Sequence, residues 1–204
     1  MINVQIVEDQ KLVANSLSRM INESSIAHVT GVYYDLASCR EGLNNGIPDV
    51  LLLDIELPDG DGVEFCVEAL KEYNSLKIIM LTSYKEFNIA KHALHNGALG
   101  YILKNAEPEE MFMGIETVNK GKQFLCNEIN ILLEEKKNEE IIWLTKKEKI
   151  ILKHIKDGYT RKEIADMICR DEETVKTHWK NLFTKFNAKN TAELVKKSYE
   201  MKLF

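Results

Sequence analysis

Val50-Leu51-Leu52-Leu53 runs straight into Asp54, and Pro58, Gly60 and Gly62 punctuate the segment that follows. An apolar run this short, closed by turn residues, suits a strand buried on both faces of a parallel sheet. In open α/β sheets the chemistry gathers at the carboxyl ends of such strands, and Asp54 holds that end. A carboxylate beside a buried strand is costly unless a cation or hydrogen bonds compensate it. The rest of the fold must therefore bring something to Asp54.

The segments around this run repeat its logic. Ile2 to Val7, Val29 to Tyr34, Lys77 to Thr82 and Ala98 to Leu103 read as four more short apolar strands. Between them lie segments of helical period, such as Leu12, Val13, Leu17, Met20 and Ile21 on one face. Ser83 with Glu86 has the spacing of a capping box, and Pro108 suits the first turn of a last helix. Five strands alternating with five helices predict a doubly wound parallel sheet over residues 1–122. Residues 123–143 carry Glu134-Glu135-Lys136-Lys137 and Glu139-Glu140 without Gly or Pro, the composition of a charged linker.

From Leu144 the pattern is wholly helical. Thr145 with Glu148 and Thr160 with Glu163 are capping boxes, Asp171 and Asn190 are further N-caps, and Gly158 suits a helix end. Four short helices over residues 144–204 make a second, all-α domain. Charge divides at the same place. The residues from Leu144 carry 15 Lys and Arg against 9 Asp and Glu, a net of +6; those before it carry 12 against 23, a net of −11. An acidic body joined to a basic tail suits a cation-using module fused to one that meets nucleic acid. Four scattered cysteines without a metal-type spacing, and no apolar stretch of membrane-span length, lead us to expect a cytoplasmic, membrane-free protein with reduced thiols.

Three further strand ends converge on Asp54: Glu8-Asp9 after the first, Thr82 at the fourth and Lys104 after the fifth. Clustered carboxylates repel one another, and a hard divalent cation such as Mg²⁺ relieves this through oxygen ligands. A lysine and a hydroxyl beside them are what an incoming phosphoryl group needs, with Asp54 as nucleophile. Singly, each residue has a plainer role: Glu8 and Asp9 as helix caps, Thr82 as a β-branched strand residue, Lys104 as a solvated cation. All of them at matching strand ends point to a site.

These residues, in this order and spacing, resemble the receiver domain of two-component response regulators, a flavodoxin-like fold. The resemblance implies phosphorylation at Asp54, Mg²⁺ held by Glu8, Asp9, Asp54 and the main-chain carbonyl of Glu56, and phosphoryl contacts from Thr82 and Lys104. Tyr101 matches the family's switch aromatic, and Glu56 and Tyr84 stand where the family tunes phosphate lifetime. Glu8 departs from the Asp that many receivers carry at its position.

In the tail, RKEIADMIC, a turn through Arg170 and Asp171, and EETVKTHWKNLFTKF read as a helix-turn-helix. In the second helix Val175, Trp179, Leu182, Phe183 and Phe186 form a core stripe, and Glu173, Lys176, Thr177, Lys180 and Thr184 the opposite face. The pattern LTKKEK…KEIA…TVKTH…LFTKF resembles the DNA-binding domain of NarL/FixJ (LuxR-type) regulators, which implies DNA contacts from Lys176, Thr177 and Lys180. Thr191 stands where that family often has an arginine. The expected function is a transcriptional regulator phosphorylated on Asp54 by a histidine kinase, which then homodimerises and binds promoter half-sites. It is not expected to be an enzyme beyond self-phosphorylation from small donors and self-dephosphorylation. Two other readings remain open at this stage: a DNA binder with a silent receiver pocket, and a phosphotransfer or protein-interaction module.

Overall fold

The computed structural model describes residues 1–83, 85, 87–136, 142 and 144–201. The chain divides into two compact units, Met1–Glu139 and Glu140–Phe204. The expected partner Glu86 of the Ser83 capping box, Tyr84, and Lys137 with Glu139-Glu140 of the charged run lie outside the described residues. Among the described residues no helix is long and apolar enough to cross a membrane.

The first unit is built on strands β1 (Ile2–Val7), β2 (Ala27–Tyr33), β3 (Val50–Asp54), β6 (Ile78–Thr82) and β7 (Gly100–Leu103), with the two-residue strands β4 (Glu56–Leu57), β5 (Gly60–Asp61) and β8 (Phe124–Leu125). The main sheet is parallel and has the order β2-β1-β3-β6-β7-β8. Its middle strand β3 is buried along its whole length. Side chains alternate across the pleat. Val50 and Leu52 of β3 join Val4, Ile6, Ile79, Leu81 and Ile102 in one core, closed by Leu17 and Ile21 of helix α1 (Lys11–Asn22) and Met111, Ile115 and Val118 of α5 (Pro108–Asn119). Leu51, Leu53 and Met80 point the other way, to the side of α2 (Leu36–Asn45), α3 (Gly62–Glu72) and α4 (Phe87–His95). Helices therefore cover both faces, as the unbroken apolar runs require. Each fully buried Leu or Ile adds about 1.5–3 kcal/mol by leaving water.

The five strands expected from the sequence are present, and a sixth joins them. Phe124 and Leu125 pair with Gly100 and Tyr101 of β7, inside the stretch expected to be a linker. The chain then forms α6 (Asn127–Glu135), whose Ile129 is fully buried and which packs against α4. Two apolar residues are too few to show a strand period, and Glu134 to Lys137 dominated the composition of that stretch. Part of the 123–143 segment is thus packed onto the sheet.

The second unit holds α7 (Lys146–Lys156), α8 (Arg161–Met167), α9 (Glu172–Lys185) and α10 (Thr191–Glu200). Thr145 and Thr160 form complete capping boxes with Glu148 and Glu163, and Asp171 and Asn190 accept from Thr174 N–H and Glu193 N–H. Gly158 takes φ +87° just past α7, a left-handed conformation that costs glycine nothing. Ile151, Leu152, Ile155, Ile164, Val175, Leu182, Phe186 and Leu194 make one small core, with Trp179 and Phe183 partly buried against it.

Candidate functional site: an acidic sheet rim and a basic helix face

Parallel strands of matched register bring their carboxyl ends to one rim, which is how residues far apart in sequence meet here. Asp54 closes β3 and is almost fully buried. Glu8, one residue beyond β1, is buried completely, while its neighbour Asp9 is exposed. One carboxylate oxygen from each of Glu8, Asp9 and Asp54 lies within 4.8 Å of the others. Lys104 follows β7, and its Nζ lies 2.6 Å from Glu8 Oε2 and 2.9 Å from Asp54 Oδ2. Thr82 closes β6, fully buried, and its carbonyl accepts the Lys104 backbone N–H at 2.8 Å. Thr82 and Lys104 are thereby fixed side by side.

Tyr101 sits two residues deeper in β7 than Leu103, with no exposed surface, between Met80 of β6 and Leu125 of β8. Glu56 lies on β4 with its side chain exposed, outside the three-carboxylate group.

Electrostatics follow from burial. Desolvation pushes the Glu8 carboxyl above its ordinary range; Asp54 adds to this and Lys104 opposes it. Desolvation also raises Asp54, against the pull of Lys104 and the backbone amides of Ile55 and Glu56. Ile55 N–H donates to Asp54 Oδ1 at 2.7 Å. Burial alone would lower Lys104, but its two carboxylate partners outweigh that and raise it. Glu8 Oε2 has the close ion-pair contact but no well-aligned hydrogen bond. Three carboxylate oxygens this close together, two of them from buried residues, form an all-oxygen donor group that fits a hard cation such as Mg²⁺.

Two features of this rim escape a reading by residue type. A Cβ on Gly62 would stand 2.0 Å from the Asp54 carbonyl oxygen, so only glycine lets the chain return this closely. Asp59, at the tip of the β4–β5 hairpin, accepts the Leu36 and Ala37 backbone N–H groups at 2.9 Å each and ties the hairpin to the start of α2. The sequence marks Gly62 only as a turn residue and does not single out Asp59.

In the second unit, Lys176, Thr177 and Lys180 are all exposed on one face of α9, as expected. Lys176 Nζ is engaged by Glu173, at 3.0 and 3.1 Å from its two oxygens. Thr177 Oγ1 donates to the Glu173 carbonyl.

Residues 4–116 match the response regulator receiver domain family, and residues 143–198 match the bacterial regulatory proteins of the luxR family. The chain is a response regulator. Similar curated proteins span its whole length: the oxygen regulatory protein NreC of Staphylococcus haemolyticus is 29% identical over 98% of each chain. The transcriptional activator DevR/DosR of Mycobacterium tuberculosis is 28% identical over 99% of this chain and 96% of its own. Among solved structures, the RcsB–DNA complex aligns with TM-score 0.65 and 25% identity over 96% of both chains. This response regulator therefore joins a receiver domain to a LuxR-type DNA-binding domain, and its family is one of transcription regulators.

Proposed function

We propose that the receiver accepts a phosphoryl group on Asp54 from a histidine kinase or a small phosphodonor and that this charge controls dimerisation and DNA binding. The observation that carries the reading is the single ammonium of Lys104 shared between two buried carboxylates at the sheet rim. In the transfer an Asp54 carboxylate oxygen forms the new P–O bond while the donor's P–N or P–O bond breaks, and the leaving group keeps the electron pair and takes up a proton. Glu8, Asp9, Asp54 and the Glu56 main-chain carbonyl would hold Mg²⁺, which when bound neutralises charge on the transferring group. Lys104 then exchanges a carboxylate partner for a phosphoryl oxygen, and Thr82 supplies a hydroxyl from the neighbouring strand end. Tyr101, buried beside both strands, repacks as they shift, which makes the rim one element of a two-state surface.

The output face is that of α9. Lys176, Thr177 and Lys180 enter the major groove, and a homodimer presents two such helices to half-sites about one turn (~34 Å) apart. The protein acts in the cytoplasm, and its only chemistry on itself is phosphoryl uptake and hydrolysis.

Intact mass and sedimentation of wild type and Asp54→Ala after acetyl phosphate and Mg²⁺ test this. One phosphoryl adduct on wild type alone, accompanied by dimer formation, is expected. An adduct that survives the substitution would remove Asp54 from the role. No adduct at all would leave a DNA-binding protein with a silent pocket.

A further inference from the structure

A helix lying in the major groove has a phosphate backbone on each flank, and the preceding helix of a helix-turn-helix crosses one of them. Cations at that flank decide how firmly the reading helix is seated, because phosphate contacts fix register and orientation. On α9 the flank facing α8 is marked by Trp179, which lies between the exposed Lys176 and Lys180 face and the buried stripe of Val175 and Leu182.

Arg161, the first residue of α8, reaches this flank. Its guanidinium carbon lies 5.5 Å from the centroid of the Trp179 ring, within cation–π range. The side chain is exposed, and among the described residues no carboxylate lies within ion-pair distance of it. The nearest acid in sequence on its own helix, Glu163, is engaged by the backbone N–H and hydroxyl of Thr160, both at 2.7 Å. Lys176 differs, since Glu173 already holds it. A guanidinium held over an aromatic ring at this distance keeps its planar fork of N–H groups available on the side away from the ring. That geometry matches the oxygens of a phosphate.

We propose that Arg161 is a backbone-phosphate contact of the DNA complex, held in place by Trp179 on the recognition helix. The inference rests on the reading of α9 as the DNA-contacting face. It extends the interface to α8 and gives Trp179, whose spacing marks it as core, a second role as a platform.

Full-length wild type, Arg161→Ala, Arg161→Lys and Lys176→Ala/Lys180→Ala would be titrated against a mixed-sequence DNA duplex over a range of salt, with thermal unfolding of each. Arg161→Ala is expected to bind several-fold more weakly at low salt, with a log–log salt slope reduced by about 0.9 and an unchanged unfolding midpoint. Arg161→Lys, which keeps the charge and loses the planar guanidinium fork, is expected to keep the slope and lose part of the affinity. An unchanged slope in Arg161→Ala overturns the proposal, whether affinity holds or falls together with the unfolding midpoint. A slope lost in the lysine variant as well overturns it, since charge is then not what is missing. Should the double lysine variant bind like wild type, the α9 reading itself fails and the proposal falls with it.

Discussion

Lys104 Nζ lies 2.9 Å from Asp54 Oδ2 while also reaching Glu8 Oε2 at 2.6 Å, so one cation serves two carboxylates that are otherwise shut away from water. Removing it leaves both uncompensated. Lys104→Ala is expected to destabilise the metal-free first unit by about 3–5 kcal/mol, the usual cost of breaking a buried pair from one side. Urea unfolding in EDTA at neutral pH reads this directly. A loss no larger than that of an exposed pair, about 1 kcal/mol or less, would show that water already reaches the carboxylates.

The same site sets a pH dependence. Glu8 and Asp54 are both raised above their ordinary values, by burial first, so the folded protein binds more protons than the unfolded chain above about pH 4. Stability without metal should therefore be greatest at the acid end of that window and fall as pH rises through the raised values. The stability from Lys104, itself raised, persists until alkaline pH passes its own value. Asp54→Asn should flatten the acid-side slope; unfolding midpoints of both proteins across pH 4 to 7 decide it.

Mg²⁺ should reverse the cost of the three clustered carboxylates. A cation that binds only the folded state, at a hundredfold excess over its Kd, adds about 2.7 kcal/mol. Wild type should gain thermal stability with added Mg²⁺, and Glu8→Gln and Asp54→Asn should gain much less. Equal gains in all three would place the ion elsewhere.

Gly62→Ala would push a methyl group to 2.0 Å from the Asp54 carbonyl oxygen, against backbone that has no rotamer to yield. The expected loss is about 1–3 kcal/mol or more, with slower phosphoryl uptake because Asp54 itself is displaced. Gly46→Ala, where a Cβ meets nothing within 4 Å, is the matched control.

Glu173 pairs with Lys176 on the α9 face proposed to meet DNA, where its own negative charge would oppose phosphates. Glu173→Gln frees the ammonium and should tighten duplex binding by up to about fivefold, since an exposed pair is worth roughly 0.2–1 kcal/mol. A titration showing weaker binding would mean that the carboxylate positions Lys176 for its contact.

The strands, the receiver rim and the helix caps were legible because each has a local signal. Val50 to Leu53 is a short apolar run closed by turn residues, which suits a strand buried on both faces, and the caps at Thr145, Thr160, Asp171 and Asn190 follow from side-chain reach. What escaped depends on approach in space. Phe124 and Leu125 become a strand only because β7 offers an open edge. Gly62 matters because the Asp54 carbonyl returns beside it, and Asp59 because α2 begins within its reach. Trp179 fitted the core stripe by spacing, which says nothing of the Arg161 guanidinium above its ring.

The strand β8 ends the sheet after only two residues. An exposed strand edge is a template on which a second chain can add itself, and its length sets how many hydrogen bonds such an intruder gains. Here the β7 side of the sheet is already occupied by the chain's own Phe124 and Leu125, and α6 follows at once. A neighbouring copy finds too short a ledge there to extend the sheet. Any contact made at that end would have to rest on side chains, which can part again, rather than on a backbone ladder that would lock two molecules together.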